Sequence, residues 1–226
     1  MLAVNKVYVA HYNKLKKRKE NLQKELEKNK IISEWFEQEP TQQDIENHYD
    51  CTKESWKIKN SKVGYSEHVP HKFLNRAEKS LIHKHIKIYE DIVNNDVAYS
   101  LILEDDVVLC ENFVEKFNFN IYNTPKDWDF IFIGSGCNLR IDKNKIVNGK
   151  PAYLKEHPAS KCTDSYVVKK ESVKKILSTM EKYSFPIDFE LNYQMAIHKM
   201  NVYWWEPPVI RQGSQCGIYK SEIQIG

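Results

Sequence analysis

Three consecutive carboxylates, Glu104, Asp105 and Asp106, close a short apolar run, Tyr99-Ser-Leu-Ile-Leu103. The run has no Gly or Pro and reads as a buried strand. Adjacent acids repel one another, so a fold that gathers them at a strand end calls for a compensating cation. In open α/β sheets ligands bind just beyond the carboxyl ends of strands, where this triplet falls. The chemistry that suits it is a hard divalent ion held by two carboxylates, with diphosphate oxygens completing the shell. The competing reading of the same residues is an acidic turn that faces water.

Other groups that could do chemistry are scattered along the chain. Asp164 lies two residues before Tyr166 in the apolar run Cys162–Val168, so both project from one side of a strand. Asp188, in Pro186-Ile-Asp-Phe-Glu-Leu191, is placed as the N-cap of a helix. The four arginines, Arg18, Arg76, Arg140 and Arg211, are few against 34 basic residues, and each is suited to planar recognition of phosphate or carboxylate. His85 falls inside the apolar stripe of a helix over residues 76–93, where a lone histidine is ordinarily a core residue. Gly134-Ser-Gly136 ends another apolar run and would let a ligand approach the backbone, although its spacing matches no phosphate loop.

The elements that must position these groups alternate. Strands are expected at roughly 4–10, 99–104, 129–134, 165–168 and 202–205, with helical patterns between them. That order implies an α/β fold with a mostly parallel central sheet flanked by helices. Residues 1–226 fit one domain. Within it, residues 31–75 show no sustained periodicity and read as a loop-rich excursion, a candidate acceptor region. Its aromatics (Trp35, Phe36, Tyr49, Trp56, Tyr65, Phe73) either stack on a sugar face or pack the excursion onto the domain. Residues 140–158 read as a hairpin or loop.

Composition limits the partners. A net charge of +3 with 29% charged residues argues against nucleic acid. No stretch approaches the ~18 apolar residues of a membrane span, and the N-terminal run, broken by Asn5 and Lys6, does not read as a signal peptide. The five cysteines form no Cys-x-x-Cys pair and read as free thiols in a reducing compartment, which implies a cytoplasmic protein.

Leu103-Glu-Asp-Asp-Val107 resembles the Leu-Glu-Asp-Asp-Val signature of glycosyltransferase family 25, which includes bacterial lipooligosaccharide and animal collagen galactosyltransferases. Upstream, Glu78 and His85 keep the seven-residue spacing of that family's helix motif, while Ser80, Leu81 and Lys84 depart from it. Arg18 resembles its early arginine, although His11-Tyr12 stands where Asn-Leu is usual. Trp128-Asp129 to Gly134, Tyr166, Pro186-Ile-Asp188, Val209-Ile-Arg-Gln212 and Ser221-Glu-Ile223 are similar to its later segments, in order.

The resemblance implies a GT-A fold that binds a nucleotide sugar. It also implies transfer of a hexose, galactose or glucose, from a UDP-sugar to an acceptor hydroxyl on a saccharide or glycoprotein, with inversion. Glu104 and Asp106 would serve a Mn²⁺ or Mg²⁺ ion and the nucleotide, with Asp105 the middle member and Gln212 a further metal or phosphate contact. Arg18, Arg211, Glu78 and His85 would belong to the donor site. Asp188, or failing it Asp164, would be the base that deprotonates the acceptor. No histidine near the C-terminus matches the ligand that closes some GT-A metal sites. Two other classes fit the acid triplet: a metal-dependent nucleotidyltransferase or phosphoesterase, and a catalytically silent glycan-binding relative. Assembly as a homo-oligomer is compatible with each.

Overall fold

Strict alternation along the strands divides the interior into two cores. In the computed structural model, which describes residues 1–63 and 71–219, Tyr8 and Ala10 of β1 (Lys6–Ala10) enter one core while Val7 and Val9 enter the other. The chain continues through α1 (Lys16–Lys28), β2 (Glu34–Phe36), α2 (Gln42–His48), α3 (Lys53–Val63) and α4 (Arg76–Asn94). Next come β3 (Tyr99–Glu104), β4 (Val107–Leu109), α5 (Phe113–Asn123), β5 (Phe130–Phe132) and β6 (Ala152–Lys155). It ends in β7 (Ser165–Lys169), α6 (Lys170–Leu177), α7 (Ile187–Ile197), β8 (Val202–Trp205) and β9 (Ile210–Gln212). On β3, Ile102 packs with the first core and Leu101 and Leu103 with the second. Helices α4, α6 and α7 cover the first, α1 and α5 the second, so the sheet lies between two helical layers.

The seven-stranded sheet runs β2-β1-β3-β7-β5-β8-β6. The pairings β1–β2, β1–β3 and β5–β8 are parallel, while β7 is antiparallel to both β3 and β5, and β6 to β8. Five of the seven strands therefore point one way, and the mostly parallel expectation describes their direction. The two exceptions are β6 at one edge and β7 in the middle. Segment 156–164 returns the chain to the end where β5 finished, with Ala159 buried in the first core, so β7 starts at that end and runs away from it.

Helix α4 is the principal brace of the first core. Its start is fixed by a capping box: Asn75 accepts from the Glu78 N–H and Glu78 from the Asn75 N–H, each at 2.9 Å. Its inner stripe of Ile82, Ile88, Tyr89 and Ile92 is fully buried. Tyr166, at the centre of β7, is hydrogen-bonded to Tyr89 at 2.6 Å and to His85 Nδ1 at 2.8 Å, which ties α4 to the sheet.

The excursion is less irregular than its sequence suggests. Among the described residues of 31–75 are β2, α2 and α3. Periodicity is invisible there because only Val63 of α3 is buried, and α2 buries nothing. Helix α2 forms through a Thr41–Asp44 capping box, and Trp56 of α3 packs edge-on against Phe185. Among the six aromatics of this stretch, Tyr65 lies outside the described residues, and Tyr49 stacks on Tyr183.

The second core closes around Trp205, whose ring meets Phe117 at 5.2 Å and whose Nε1–H donates to Thr124 at 3.0 Å. Trp205→Ala is expected to destabilise the protein by about 3–5 kcal/mol, read as a lowered urea midpoint with an unchanged slope.

Candidate active site

Strand register assembles the site. Ala10 of β1 lies level with Glu104 of β3, so the residues that follow each strand, His11 and Asp105, meet beyond the sheet. Asp105 takes three contacts there. His11 Nδ1 lies 2.8 Å from one carboxylate oxygen, which also accepts the Tyr12 N–H at 3.1 Å, and Arg18 Nη1 donates to the other at 3.0 Å. Burial opposes its ionisation, but hydrogen bonds from His11, Arg18 and Tyr12 outweigh it and hold the carboxyl below its usual range. Asp105 is thus the fastening between β3 and the β1–α1 turn.

Its neighbours are in the opposite condition. Burial, then the adjacent Asp106, raise Glu104 well above the usual carboxylate range, although Thr163 donates to it at 2.6 Å. Burial and Asp105 also raise Asp106, against hydrogen bonds from Ser214. Because β7 starts level with Leu103, the Glu104 N–H donates to the Asp164 carbonyl at 2.9 Å and a third acid joins the cluster. Asp164 is fully buried and pushed up to about 7, by burial first and Asp106 second. Gly134 makes room for it, since a β-carbon there would stand 2.0 Å from Asp164 Oδ2. Lys161, buried beside it and over the Trp204 ring, is lowered by burial to about 8. Among the described residues, none of Glu104, Asp106 and Asp164 forms an ion pair.

Three oxygen acceptors at this end are buried without a hydrogen-bond partner: Asp106 Oδ1, Asp164 Oδ1 and Gln212 Oε1. The small ladder β4–β9 sets Val107 against Gln212 and so carries the amide back toward Asp106. Hard oxygen donors and uncompensated negative charge fit a hard divalent cation. Among the described residues no group of three or more His, Cys, Asp or Glu side chains is arranged to hold a metal by itself. A bound ion would therefore draw other oxygens from its substrate.

The acids open onto a cavity of about 400 Å³ lined by His11, Tyr12, Arg18, Glu39, Asn75, Arg76, Ser80, Lys84, Glu104, Asp105, Asp106, Gln212 and Ser214, with apolar Ala10, Leu15, Ala77 and Leu81. It unites the end of β3, the β1–α1 turn and the first turns of α4. Positive charge faces the acids across it. Arg76 is exposed, whereas Lys84 is buried and donates to Glu39 and Ser80 at 2.5 Å each. Arg18, besides its Asp105 contact, lies over the Tyr219 ring at 5.3 Å.

Several residues named from sequence lie elsewhere. His85 does not line the cavity: it is fully buried, stacked on Tyr166, and burial lowers its pKa to about 3, so it is a neutral core imidazole. Glu78 is used as the capping carboxylate of α4 and pairs with Lys72. Arg211 is exposed, because strand alternation gives the cavity side to Gln212. Asp188 is not the N-cap of α7, which is Pro186; it lies in the first turn and accepts the Phe189 N–H at 3.0 Å. Burial raises it to about 6. It is outside the cavity wall, and its charge is felt by Cys162. The match at Ser221–Ile223 lies outside the described residues.

Sequence reading missed His11, Lys84, Thr163 and Ser214. His11 had a usable signal, as the residue directly after a strand parallel to β3. The others depend on contacts between distant segments.

The raised pKa of Asp164 has a definite consequence for stability. A carboxyl that ionises at about 7 when folded, against an ordinary value of 3.8, favours folding while protonated. That contribution is present below pH ~4 and is lost as pH rises through about 7. Asp164→Asn should remove this dependence, gaining stability over the parent by about 2.5 kcal/mol between pH 5 and pH 8. Urea unfolding at the two pH values measures the difference.

The family model described as glycosyltransferase family 25 (LPS biosynthesis protein) matches residues 4–191, and a search of curated proteins finds no match. Among solved structures, the crystal structure of a glycosyltransferase involved in the glycosylation of the major capsid of PBCV-1 aligns with a TM-score of 0.45 at 10% identity, covering 92% of this chain and 94% of that one. The family match takes in the acid triplet, the capped helix α4 and the two segments that bring Asp164 and Asp188 to this end of the fold, and the chain belongs to glycosyltransferase family 25.

Proposed function

We propose that this glycosyltransferase moves a hexose, galactose or glucose, from a UDP-sugar to a hydroxyl of a saccharide or glycosylated-protein acceptor. The observation that carries the proposal is the pairing of the charge-crowded carboxyls Glu104 and Asp106, and the unpartnered oxygens of Asp106 and Gln212, with cationic side chains across one cavity. A nucleoside diphosphate sugar needs both kinds of group, because its phosphates are anionic and its departure leaves more negative charge behind. Glu104, Asp106 and Gln212 would hold Mn²⁺ or Mg²⁺, which would neutralise the diphosphate leaving group.

The chain's own residues have distinct duties. Asp105 keeps Arg18 and the β1–α1 turn in place at the cavity wall. Arg76, free of the acid cluster and exposed at the start of α4, reaches the phosphates with charge-assisted hydrogen bonds. Asp188 lies outside the wall of this cavity, so the reading requires the acceptor to approach from its side; there it would take the proton from the acceptor hydroxyl as that oxygen attacks the anomeric carbon and the bond to the diphosphate breaks, with inversion. A carboxyl raised to about 6 is ionised near neutral pH and more basic than an ordinary aspartate. Asp164 is fully buried and is assigned no proton transfer.

No helix among the described residues is long and apolar enough to cross a membrane. All five cysteines are free, and a cytoplasmic site of action forms part of the proposal.

The decisive measurement is release of UDP from a panel of UDP-hexoses, with and without Mn²⁺. One UDP-hexose should turn over in a Mn²⁺-dependent manner. Glu104→Ala and Asp106→Ala should each lower turnover by about 10²-fold or more, as expected when a group that stabilises developing charge is removed. Absence of turnover with every UDP-sugar would overturn the donor assignment and favour a silent glycan-binding relative.

A further inference from the structure

Two cysteines meet where the turn after β5 touches the segment that leads into β7. Cys137 and Cys162 are 25 positions apart in sequence, yet their sulfurs lie 3.1 Å apart. That is about 1 Å beyond the bonding distance of a disulfide. Cys137 is exposed and Cys162 half-buried.

The backbone at both positions is unusual. Cys137 has φ 50° and Cys162 φ 58°, the left-handed region that side chains with a β-carbon avoid and that Gly or Asn ordinarily fills. Two cysteines occupying such positions face to face is a pairing that backbone preference alone would not select.

The segments are also in direct contact. A β-carbon on Gly136 would stand 2.5 Å from the Lys161 carbonyl oxygen and 2.6 Å from Cys162 Cβ. Closing the sulfur–sulfur gap therefore requires side-chain rotation and little travel of the main chain.

We propose that Cys137 and Cys162 are a reversible redox modification site that forms an intramolecular disulfide beside the acid cluster. The oxidant is a hydroperoxide. The exposed Cys137 sulfur attacks the peroxide, the O–O bond breaks, and a sulfenic acid forms with release of water or an alcohol. The Cys162 sulfur then displaces the sulfenic hydroxyl, which leaves as water with the remaining thiol proton, and the S–S bond forms. Each sulfur has lost one electron and the peroxide has gained two. A dithiol reductant reverses the step by thiol–disulfide exchange.

The test uses the full chain and hydrogen peroxide, without any sugar substrate, so its outcome is independent of the donor assignment. After peroxide treatment and removal of excess oxidant, thiols titrated in denaturant should fall from five to three. Non-reducing digestion and mass spectrometry should find the Cys137 and Cys162 peptides joined, two mass units lighter than their sum. Dithiothreitol should restore all five thiols. Cys137→Ser and Cys162→Ser, close in size to the parent residue, should each keep their four thiols under a dose that oxidises the wild-type pair. The proposal is overturned by an unchanged thiol count, by Cys216 as the partner of Cys137, by a bridge between two chains, or by oxidation that dithiothreitol does not reverse.

Discussion

Carboxylates cannot be crowded at the end of a buried strand unless each is treated differently, and this constraint organises the active-site end of the protein. Asp105 is neutralised internally by His11, Arg18 and a backbone N–H, and it ionises readily. Among the described residues Glu104 and Asp106 form no ion pair, and the hydrogen bonds they receive from Thr163 and Ser214 do not offset burial and mutual repulsion, so both are raised. One acid of the triplet is therefore structural, and its two neighbours are available to a ligand. The middle residue makes the other two useful, because it secures the turn that forms the opposite wall of the cavity.

Register translates that constraint into geometry. The C-terminal ends of β1 and β3 are level, the first residue of β7 is level with Leu103, and β9 is aligned with β4, so four segments bring side chains to one place. Behind them, His85, Tyr89 and Tyr166 form a buried hydrogen-bonded column that fixes α4 against the centre of the sheet. A neutral imidazole suits that position, where a charge would be costly. The histidine that looks like a site residue in sequence thus supports the cavity from beneath.

The legible parts of the sequence were those governed by short-range pattern. The apolar runs of β1, β3 and β8, the stripe of α4 and the acid triplet can all be read from consecutive residues or from steps of three and four. The places of Glu78, Arg211 and Asp188 in the fold could not, for three different reasons. Glu78 closes the capping box of α4, Arg211 falls on the outer face of a short ladder, and Asp188 enters α7 one residue after its first position. Helices α2 and α3 were hidden because they bury almost nothing, which erases the periodicity that marks a helix. The direction of β7 was equally invisible, since a strand's own residues do not specify which way it runs among its neighbours.

The stretch between Cys137 and Cys162 leaves the site and returns to the same point, and it contains β6 at the edge of the sheet. Its flanks are fastened to the body by the β6–β8 pairing and by Ile141, Tyr153 and Ala159 in the first core, whereas residues 142–150 between them are all exposed. A change in the length of that exposed part would cost little, because loop closure costs little more as a loop grows. The outer part already bears exposed Ile146, Val147 and Leu154. The exposed turn 142–150 is thus where this flank of the fold can change in length at least cost to the carboxylate cluster beneath.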